Sequence, residues 1–442
     1  MEICQYPSQQ ADARLDKIKS RGLEYSEDEI NRVAAILRDV RENGDEALLR
    51  YTRKFDAPDM TWDKVMVTEN EINNAFKNVD MAFTRALDRA ASQIEQFHRQ
   101  QQRRSWWDNP RPGVMLGQMI RPVSRAGLYI PGGRGGNTPL ISSVLMCGLP
   151  AKLAGVQDIT MMTPARKDNT VSPHLLCAAR RAGVTRILKL GSAWGIAALA
   201  YGTESVDKVD IIVGPGNLYV TLAKKLVSGS TGIDMVAGPS EILILADAAA
   251  NPDFVAADLL GQAEHDQRAS SILITTSPAL AEKTLLSLEK QLETLPRAEI
   301  ARQSLDAYGA VIVVDSLNEA FNLVNNIAPE HLELMLDNPL AMLDKVHSAG
   351  AIFIGGYTPE AMGDYVAGTN HVLPTNGTAR FASALSVEHF LKKTSIVYYS
   401  KEAFELEADD VATLAHLEGL DAHAASVNVR KSALVESGLD EE

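Results

Sequence analysis

Four short polar segments of this 442-residue chain carry histidine, carboxylate and carboxamide side chains where turns are expected. They are Gln262-Ala263-Glu264-His265-Asp266, Pro329-Glu330-His331, Gly363-Asp364 running on to Asn370-His371, and Glu418 with His423. Imidazole, carboxylate and carboxamide groups can bind a borderline divalent metal, and imidazole also transfers protons at neutral pH. The combination favours a metalloenzyme over a binding scaffold.

The segment with Gln262 and His265 follows a helical pattern. On a helix, a spacing of three places both side chains on one face, where they could share a metal. The alternative is a solvated helix end at which a protonated His265 lies near the negative end of the helix dipole. The segment by itself leaves both interpretations open.

Glu330 and His331 follow Pro329 and precede a strand-like run over residues 332–336. A histidine begins with a pKa of ~6.5 and can act as a general base. Neighbours in a strand point to opposite faces, so both side chains serve one site only if they lie in turn geometry at the mouth of the strand. An exposed strand start is the alternative.

The other two segments are less specific. Asp364 begins a glycine-rich polar stretch over residues 363–377, and it could be a hard metal ligand or a turn residue that caps a backbone amide. Glu418 and His423 lie near the C-terminus, where chains usually fray. They matter only if the tail docks onto a site in this subunit or in a partner.

The elements that must position these groups follow a βαβ pattern from about Gly127. Short β-branched runs alternate with helical stretches, which predicts parallel sheets covered on both faces. The runs are 128–130, 158–161, 186–188, 209–213, 241–245, 271–275, 311–314 and 351–354. Eight strands favour two sheets, with boundaries near Gly127 and near Ala237-Gly238-Pro239, where two helix breakers stand together.

Outside these sheets the pattern is helical. Residues 1–25 are polar and predict an irregular arm, and Ser26 with Glu29 forms a capping box that begins a helix ending at Asn43-Gly44-Asp45. A long helix is expected from about Met81 to Arg103, with His98 at its surface. From about residue 385 the pattern predicts helices and no strong strand.

Two glycine loops each follow a strand and precede a helix. They are Gly132-Gly133-Arg134-Gly135-Gly136-Asn137 and Gly214-Pro215-Gly216-Asn217. A backbone without Cβ atoms can approach phosphates there, and the helix N-terminus adds partial positive charge. Neither loop has the G-x-G-x-x-G spacing, and no P-loop is present, so we expect a nucleotide site that is not of the usual dinucleotide type.

The composition is that of an ordinary globular protein, with 45% hydrophobic and 23% charged residues. The formal net charge of −14 argues against nucleic acid and anionic membranes as main partners. Three cysteines without metal-binding spacing indicate a reducing compartment. The polar N-terminus and the lack of an apolar run of ~20 residues make the cytoplasm the expected location.

Taken together, the motifs resemble those of histidinol dehydrogenases. Several long motifs occur in the same order from about Arg38 to the C-terminus. They are residues 127–133, 214–217, 233–241, 262–266, 328–332 and 363–381. One segment departs from the family: Gly191-Ser192-Ala193-Trp194 stands where similar sequences have Gly-Gly-Ala-Gln, whose glutamine contacts the cofactor.

The resemblance implies an enzyme of histidine biosynthesis that oxidises L-histidinol to L-histidine through the aldehyde, with two NAD⁺ in turn and one zinc. It implies two Rossmann-like parallel-sheet domains, a short N-terminal arm and a small C-terminal helical domain, assembled as a homodimer. The expected domains are the arm over residues 1–25, a discontinuous first domain, an NAD-contacting second domain and a C-terminal dimerisation domain. The first domain comprises residues 26–127 plus 240–384, and the second comprises residues 128–239. The C-terminal dimerisation domain comprises residues 385–442.

The resemblance also implies roles for single residues. The zinc ligands would be Gln262, His265, Asp364 and His423. Glu330 and His331 would transfer protons. The substrate would contact Ser240, Gln262, His265, His331, Asp364, Glu418 and His423, and NAD would contact Tyr129 and Asn217. Glu418 and His423 would complete the site of the neighbouring subunit.

Three other functions are compatible with parts of the pattern. A related zinc and NAD dehydrogenase could act on another amino or sulfonated alcohol. A zinc hydrolase would use a metal-bound water and no NAD, although the glycine loops argue against it. A non-catalytic metal-binding protein would leave Glu330 and His331 without a role.

Overall fold

The structure is a computed structural model that describes residues 1–22, 25–133 and 138–439. The chain divides into two compact units. The first unit comprises residues 1–102 and 123–390, and the second comprises residues 103–122 and those from 391 onward.

The strands are β1 (Ile3–Gln5), β2 (Trp106–Arg111), β3 (Val114–Pro122), β4 (Arg125–Tyr129), β5 (Asp158–Met162), β6 (Arg186–Leu188), β7 (Ile211–Val213), β8 (Gly232–Ile233), β9 (Glu241–Ala246), β10 (Ser270–Thr275), β11 (Ala310–Val313), β12 (His331–Met335), β13 (Ala351–Ile354) and β14 (Leu391–Tyr399). The helices are α1 (Gln9–Ser20), α2 (Glu27–Phe55), α3 (Trp62–Val65), α4 (Glu69–Lys77), α5 (Met81–Arg99), α6 (Ile141–Ala154), α7 (Pro173–Ala182), α8 (Ser192–Tyr201), α9 (Leu218–Val227), α10 (Pro252–Ala263), α11 (Pro278–Leu292), α12 (Ala298–Tyr308), α13 (Leu317–Ile327), α14 (Glu360–Tyr365), α15 (Lys401–Leu417) and α16 (Asp421–Leu439). Short 3₁₀ helices cover Leu340–Lys345, Thr378–Arg380 and Val387–Phe390.

The first unit contains two parallel sheets with the same strand order. One sheet runs β1-β11-β10-β9-β12-β13, and the other runs β6-β5-β4-β7-β8. Counted from β9 and from β4, both follow the order 3-2-1-4-5 of a Rossmann half, and β1 adds an edge strand to the larger sheet. The prediction of two Rossmann-like parallel sheets is confirmed, and all eight predicted runs form strands.

Both faces of each sheet are buried, as parallel sheets require. On β9, Leu243 and Leu245 enter one hydrophobic core with α1 and α13, while Ile242 and Ile244 enter another with α10, α11 and α12. The two faces of the other sheet likewise contribute to separate cores. The alternation of side chains along a strand places successive residues in opposite cores.

The helices α2, α4 and α5 pack against helices that belong to the smaller sheet. α2 contacts α8 and α9, α4 contacts α7, and α5 contacts α6. The predicted domains placed residues 26–127 with residues 240–384 instead. The apolar stripe of a helix shows which face is buried but not which sheet covers it.

Three local expectations had different outcomes. The capping box of Ser26 and Glu29 is present, and Gly44 interrupts α2 with a φ of 44°, as predicted. The prediction of an irregular arm was wrong, because β1 pairs with β11 and is followed by α1. The surface position expected for His98 was also wrong: its ring is fully buried, and Nδ1 lies 2.6 Å from Gln101 Oε1. The partner, Gln101, lies just beyond the end of α5, and the polar residues around His98 suggested a surface position.

The second unit contains an antiparallel sheet of order β14-β3-β2 and the helices α15 and α16. β14 was not predicted, because its residues are largely exposed and form no apolar run. A strand of this kind is specified by its pairing with β3 rather than by its own pattern. In the described part of the chain, no helix has the length and apolar character needed to cross a membrane.

Candidate active site

A cavity of about 240 Å³ opens where the ends of the two parallel sheets meet. The loop Gly214–Gly216 at the carboxyl end of β7 lines it, and so do Ser240, Glu330 and His331 at the amino ends of β9 and β12. In the smaller sheet this is the point at which the strand order reverses, the usual place for a ligand in an open α/β sheet. The larger sheet contributes the opposite ends of its strands.

His331 begins β12 and is buried at this cavity. Its Nδ1 lies 3.0 Å from the carbonyl oxygen of Glu241, so Nδ1–H donates and the lone pair remains on Nε2. Nε2 has no hydrogen-bond partner among the described residues. Burial lowers the pKa of His331 to about 3. The ring is therefore neutral at neutral pH and can accept a proton at Nε2.

Glu330 lies in the turn before β12, where its carbonyl oxygen accepts a hydrogen bond from Ala351 N. Its Oε2 accepts from the backbone N–H of Glu241 at 2.9 Å. Burial, and then the charge of Glu241, raise the pKa of Glu330 well above its usual value. The turn geometry that the sequence required is present, and Glu330 and His331 line the same cavity.

Asp364 and Glu360 stand one turn apart on the short helix α14. Together with His331 they form a cluster in which one ligand atom from each residue lies within 4.8 Å of the others. Burial raises the pKa of Asp364 to about 7. Burial followed by the charge of Asp364 raises the pKa of Glu360 well above its usual range. Buried carboxylates held this close are stabilised by a proton or by a cation.

Gln262 lies fully buried in the last turn of α10. With its amide nitrogen facing the acceptors, Nε2 lies 3.2 Å from Glu360 Oε2 and 3.3 Å from the carbonyl oxygen of Glu241 and can donate to both. His265 lies just beyond the helix and lines the cavity, and its N–H donates to the carbonyl oxygen of Gln262 at 3.2 Å. The helix ends before His265, so a turn rather than a helix face brings the pair together.

These donors fit a divalent metal with mixed nitrogen and oxygen ligands, a set that suits zinc. Of the predicted ligands, Gln262, His265 and Asp364 converge on this region of the first unit. Glu360 was missed, although its position four residues before Asp364 on one helix face was a usable signal. His371 also lines the cavity, with Nδ1 3.2 Å from the carbonyl oxygen of Asp364, and burial lowers its pKa to about 4.

Ser240, Tyr129 and Asn217 occupy strand ends next to this region. Ser240 lines the cavity, and Tyr129 ends β4, with its hydroxyl oxygen accepting a hydrogen bond from Ser192 N at 3.0 Å. Asn217 follows β7 and caps α9 by accepting hydrogen bonds from two backbone N–H groups. β4 and β7 are neighbours, so both residues lie at adjacent carboxyl ends. Residues 134–137, in the other predicted glycine loop, lie outside the described residues.

Trp194, which stands where similar sequences have glutamine, is buried in α8. Its indole packs against Tyr51 and Phe55, with ring centroids 5.7 Å and 5.6 Å from theirs. In the described structure, the indole N–H has no hydrogen-bond acceptor.

The two remaining predicted residues belong to the second unit. Glu418 is the C-cap of α15, and His423 lies in the first turn of α16. Both are exposed.

Known proteins resemble this chain over nearly its whole length. A sequence profile of the family described as histidinol dehydrogenase matches residues 19–431. A histidinol dehydrogenase from Desulfotalea psychrophila is 55% identical and covers 90% of this chain and 92% of its own. One from Syntrophotalea carbinolica is 48% identical, with 97% and 99% covered. The crystal structure of histidinol dehydrogenase from Elizabethkingia anophelis has a TM-score of 0.91 and 39% identity, and 98% of each chain is covered. The resemblance inferred from the motifs is confirmed.

Proposed function

This chain belongs to the histidinol dehydrogenase family of oxidoreductases, and from this premise we propose that it oxidises L-histidinol to L-histidine with two NAD⁺ and one zinc. The observation that carries the proposal is the cavity in which the free Nε2 of a neutral His331 and the Glu330 carboxyl lie near Glu360 and Asp364, which together with His331 could hold a metal ion. A proton acceptor next to a cation site is what alcohol oxidation requires.

The residues present fit both absent groups. Gln262, His265 and Asp364 would hold the metal together with the partner subunit's His423, and Glu360 lies close enough to add its charge. Tyr129 and Asn217 would contact NAD at the carboxyl ends of β4 and β7. When bound, zinc would orient the substrate through its imidazole and amino nitrogens, and NAD⁺ would accept one hydride in each oxidation.

His331 carries the alcohol step. Its Nε2 accepts the hydroxyl proton while the carbinol carbon loses a hydride, which leaves the aldehyde. The hydrogen bond from Nδ1 to the Glu241 carbonyl oxygen holds the ring in the tautomer that this step needs. Ser240 and the partner subunit's Glu418 would bind the substrate and keep the aldehyde in the site.

Glu330 carries the aldehyde step. Its carboxylate takes a proton from water, and the water oxygen bonds to the carbonyl carbon. His331 returns the proton of the alcohol step to the carbonyl oxygen, so the hydrated aldehyde forms and His331 is neutral again. The hydrated aldehyde then loses a hydride from its carbon and a hydroxyl proton to His331, which gives the carboxylic acid. The raised pKa of Glu330 suits a base that must take up a proton strongly.

We also propose a homodimer in a reducing compartment such as the cytoplasm. Large apolar side chains of α15 are exposed, with Leu406 83%, Leu414 62% and Leu417 80% accessible. Such a surface is typical of a protein interface. The three cysteines are buried and unpaired, which agrees with a reducing environment.

The test combines elemental analysis with cofactor stoichiometry. Purified protein should contain zinc, and limiting L-histidinol should yield close to two NADH per molecule. NADH formation from a different amino or sulfonated alcohol, with none from histidinol, would support the related-dehydrogenase alternative. Turnover of an ester or amide without NAD would instead support a hydrolase.

A further inference from the structure

We propose that Arg21, at the end of α1, is a positioning residue for aldehyde oxidation that acts through Glu241 on Glu330. The inference rests on the proposed role of Glu330 as the base that activates water. It assigns a function to the N-terminal segment, which the sequence pattern treated as a simple arm.

Arg21 is held in place almost completely out of solvent. Its side chain is 1% exposed, and Nη2 lies 2.6 Å from Glu241 Oε2, whose side chain is 5% exposed. Nε donates to the carbonyl oxygen of Arg268 at 3.1 Å, and Nη1 donates to that of Ile18 at 2.8 Å. The guanidinium therefore connects α1 to the amino end of β9 in one fixed geometry.

Glu241 and Glu330 hold each other through reciprocal hydrogen bonds. The N–H of Glu241 donates to Glu330 Oε2 at 2.9 Å, and the N–H of Glu330 donates to Glu241 Oε1 at 3.3 Å. The carbonyl oxygen of Glu241 also accepts from His331 Nδ1 at 3.0 Å. The backbone carbonyl of Glu241 thus contacts His331, whereas its side chain, the part that Arg21 holds, contacts Glu330.

Glu241 also contacts the segment that forms a wall of the cavity. Glu241 Oε1 accepts from the N–H of Asn376 at 3.0 Å, and Thr375 next to it accepts from the N–H of Gly238. A Cβ atom on Gly22 would overlap the Asn376 side chain, so the end of the arm lies directly against this segment. Arg21 and Gly22 therefore pack behind the site rather than apart from it.

The physical reason for the arrangement is charge. Glu241 and Glu330 are buried side by side, and Arg21 is the cation that lies against the Glu241 side chain. The ion pair holds Glu241 so that its Oε1 accepts from the N–H of Glu330. Loss of Arg21 would leave the Glu241 side chain buried without its partner. The side chain would then shift, and Glu330 would lose a contact that fixes its position.

The experiment compares the two half-reactions in the zinc-loaded enzyme. Arg21→Met should lower NAD⁺-dependent oxidation of histidinal by about 10- to 100-fold, the cost of a misplaced catalytic group. NADH-dependent reduction of histidinal to histidinol, which does not use Glu330, should stay close to wild type. Arg21→Lys keeps the charge and should recover part of the oxidation rate. Arg14→Met is the matched control, because Arg14 lies on the same helix and bonds only backbone oxygens of residues 305, 306 and 309.

A double variant separates positioning from simple anchoring of α1. Arg21→Met combined with Glu241→Gln leaves no unpaired buried charge, and the amide oxygen at position 241 can still accept from the same N–H groups. The double variant should fold even where Arg21→Met does not, and it should oxidise histidinal faster than Arg21→Met. Equal loss of both half-reactions, or a double variant as slow as the single one, would overturn the proposal. Failure of the wild-type enzyme to form NADH from histidinol would instead count against the proposed function.

Discussion

Burial raises the pKa of Glu330 and lowers the pKa of His331. In both residues it favours the neutral form. The pKa of His331 falls to about 3, so a neutral imidazole is available at neutral pH. The pKa of Glu330 rises, so its carboxylate binds a proton more strongly than an exposed glutamate does. The proposed division of labour between an alcohol step and an aldehyde step rests on these two environments.

Glu330→Gln should separate the two steps. The amide keeps the size of the side chain but cannot take a proton from water. Histidinal oxidation should therefore fall by about 10²–10⁴-fold, while NADH-dependent reduction of histidinal is retained. Both rates are measured by NADH absorbance. Equal losses in the two directions would remove Glu330 from the role of water-activating base.

Glu360→Gln should weaken metal binding. The substitution removes one negative charge from a cluster whose ligand atoms lie within 4.8 Å of one another. Zinc retained per chain after dialysis against a weak chelator should be lower than in wild type. Glu289→Gln, at an exposed ion pair with Arg302, is the control. Unchanged zinc retention in Glu360→Gln would show that Glu360 only orients Gln262.

At the scale of elements, short segments at strand and helix ends supply the chemistry, and rigid neighbours fix them. α14 is only six residues long, yet it presents Glu360 and Asp364 on one face. β9 and β12 are paired in parallel, so the residues at their amino ends, Glu241 and His331, are held side by side. Site residues on paired strands are positioned more accurately than residues on free loops.

Asp56, the C-cap of α2, offers a test of how an element end responds to pH. Burial raises its pKa from 3.8 to about 7, and its Oδ2 atom has no hydrogen-bond partner in the described ranges. A negative charge at a helix C-terminus is also unfavourable. Between pH 4 and pH 7 the folded state holds a proton that the unfolded chain has released, so stability falls as pH rises through this window.

Asp56→Asn should remove this dependence of stability on pH. The melting temperature of the variant should exceed that of wild type at pH 8, and the difference should shrink as the pH falls towards 5. Thermal unfolding followed by circular dichroism measures the melting temperature of each protein. Asp59→Asn, at an exposed position nearby, should show no such trend. A constant difference between Asp56→Asn and wild type at all pH values would contradict the assignment.

At the scale of the whole molecule, two sheets of identical strand order contribute opposite ends to one cavity. The smaller sheet supplies carboxyl ends, where the Gly214–Gly216 loop and the N-terminus of α9 suit phosphate groups. The larger sheet supplies amino ends, where Ser240, Glu330 and His331 stand. Cofactor and proton chemistry can thus come from different sheets.

The proposed exchange of tails between subunits predicts complementation. In the formation of histidine from histidinol, Glu330→Gln and His423→Ala homodimers should each have almost no activity. Mixed dimers would have one site with both defects and one with neither, so random reassortment should restore about a quarter of wild-type activity. Activity is measured after the two variants are unfolded and refolded together. No recovery, with mixed dimers demonstrated by a tag on one chain, would mean that His423 serves its own subunit.

The sequence by itself determined the elements and the residue types of the site. Period-two and helical patterns, caps and glycine breaks act over a few residues, so they predicted eight strands, the Ser26 capping box and the break at Gly44. The motifs also contained Gln262, His265, Glu330, His331 and Asp364.

Only the tertiary structure decided which elements pack together and what surrounds each group. The pairing of β1 with β11, the exposed strand β14 and the burial of His98 depend on partners far away in the chain. Glu360, Glu241 and Arg21 gain their significance in the same way, because a charge matters through its neighbours and its distance from water. Those neighbours are brought together by folding, and a local pattern carries no record of them.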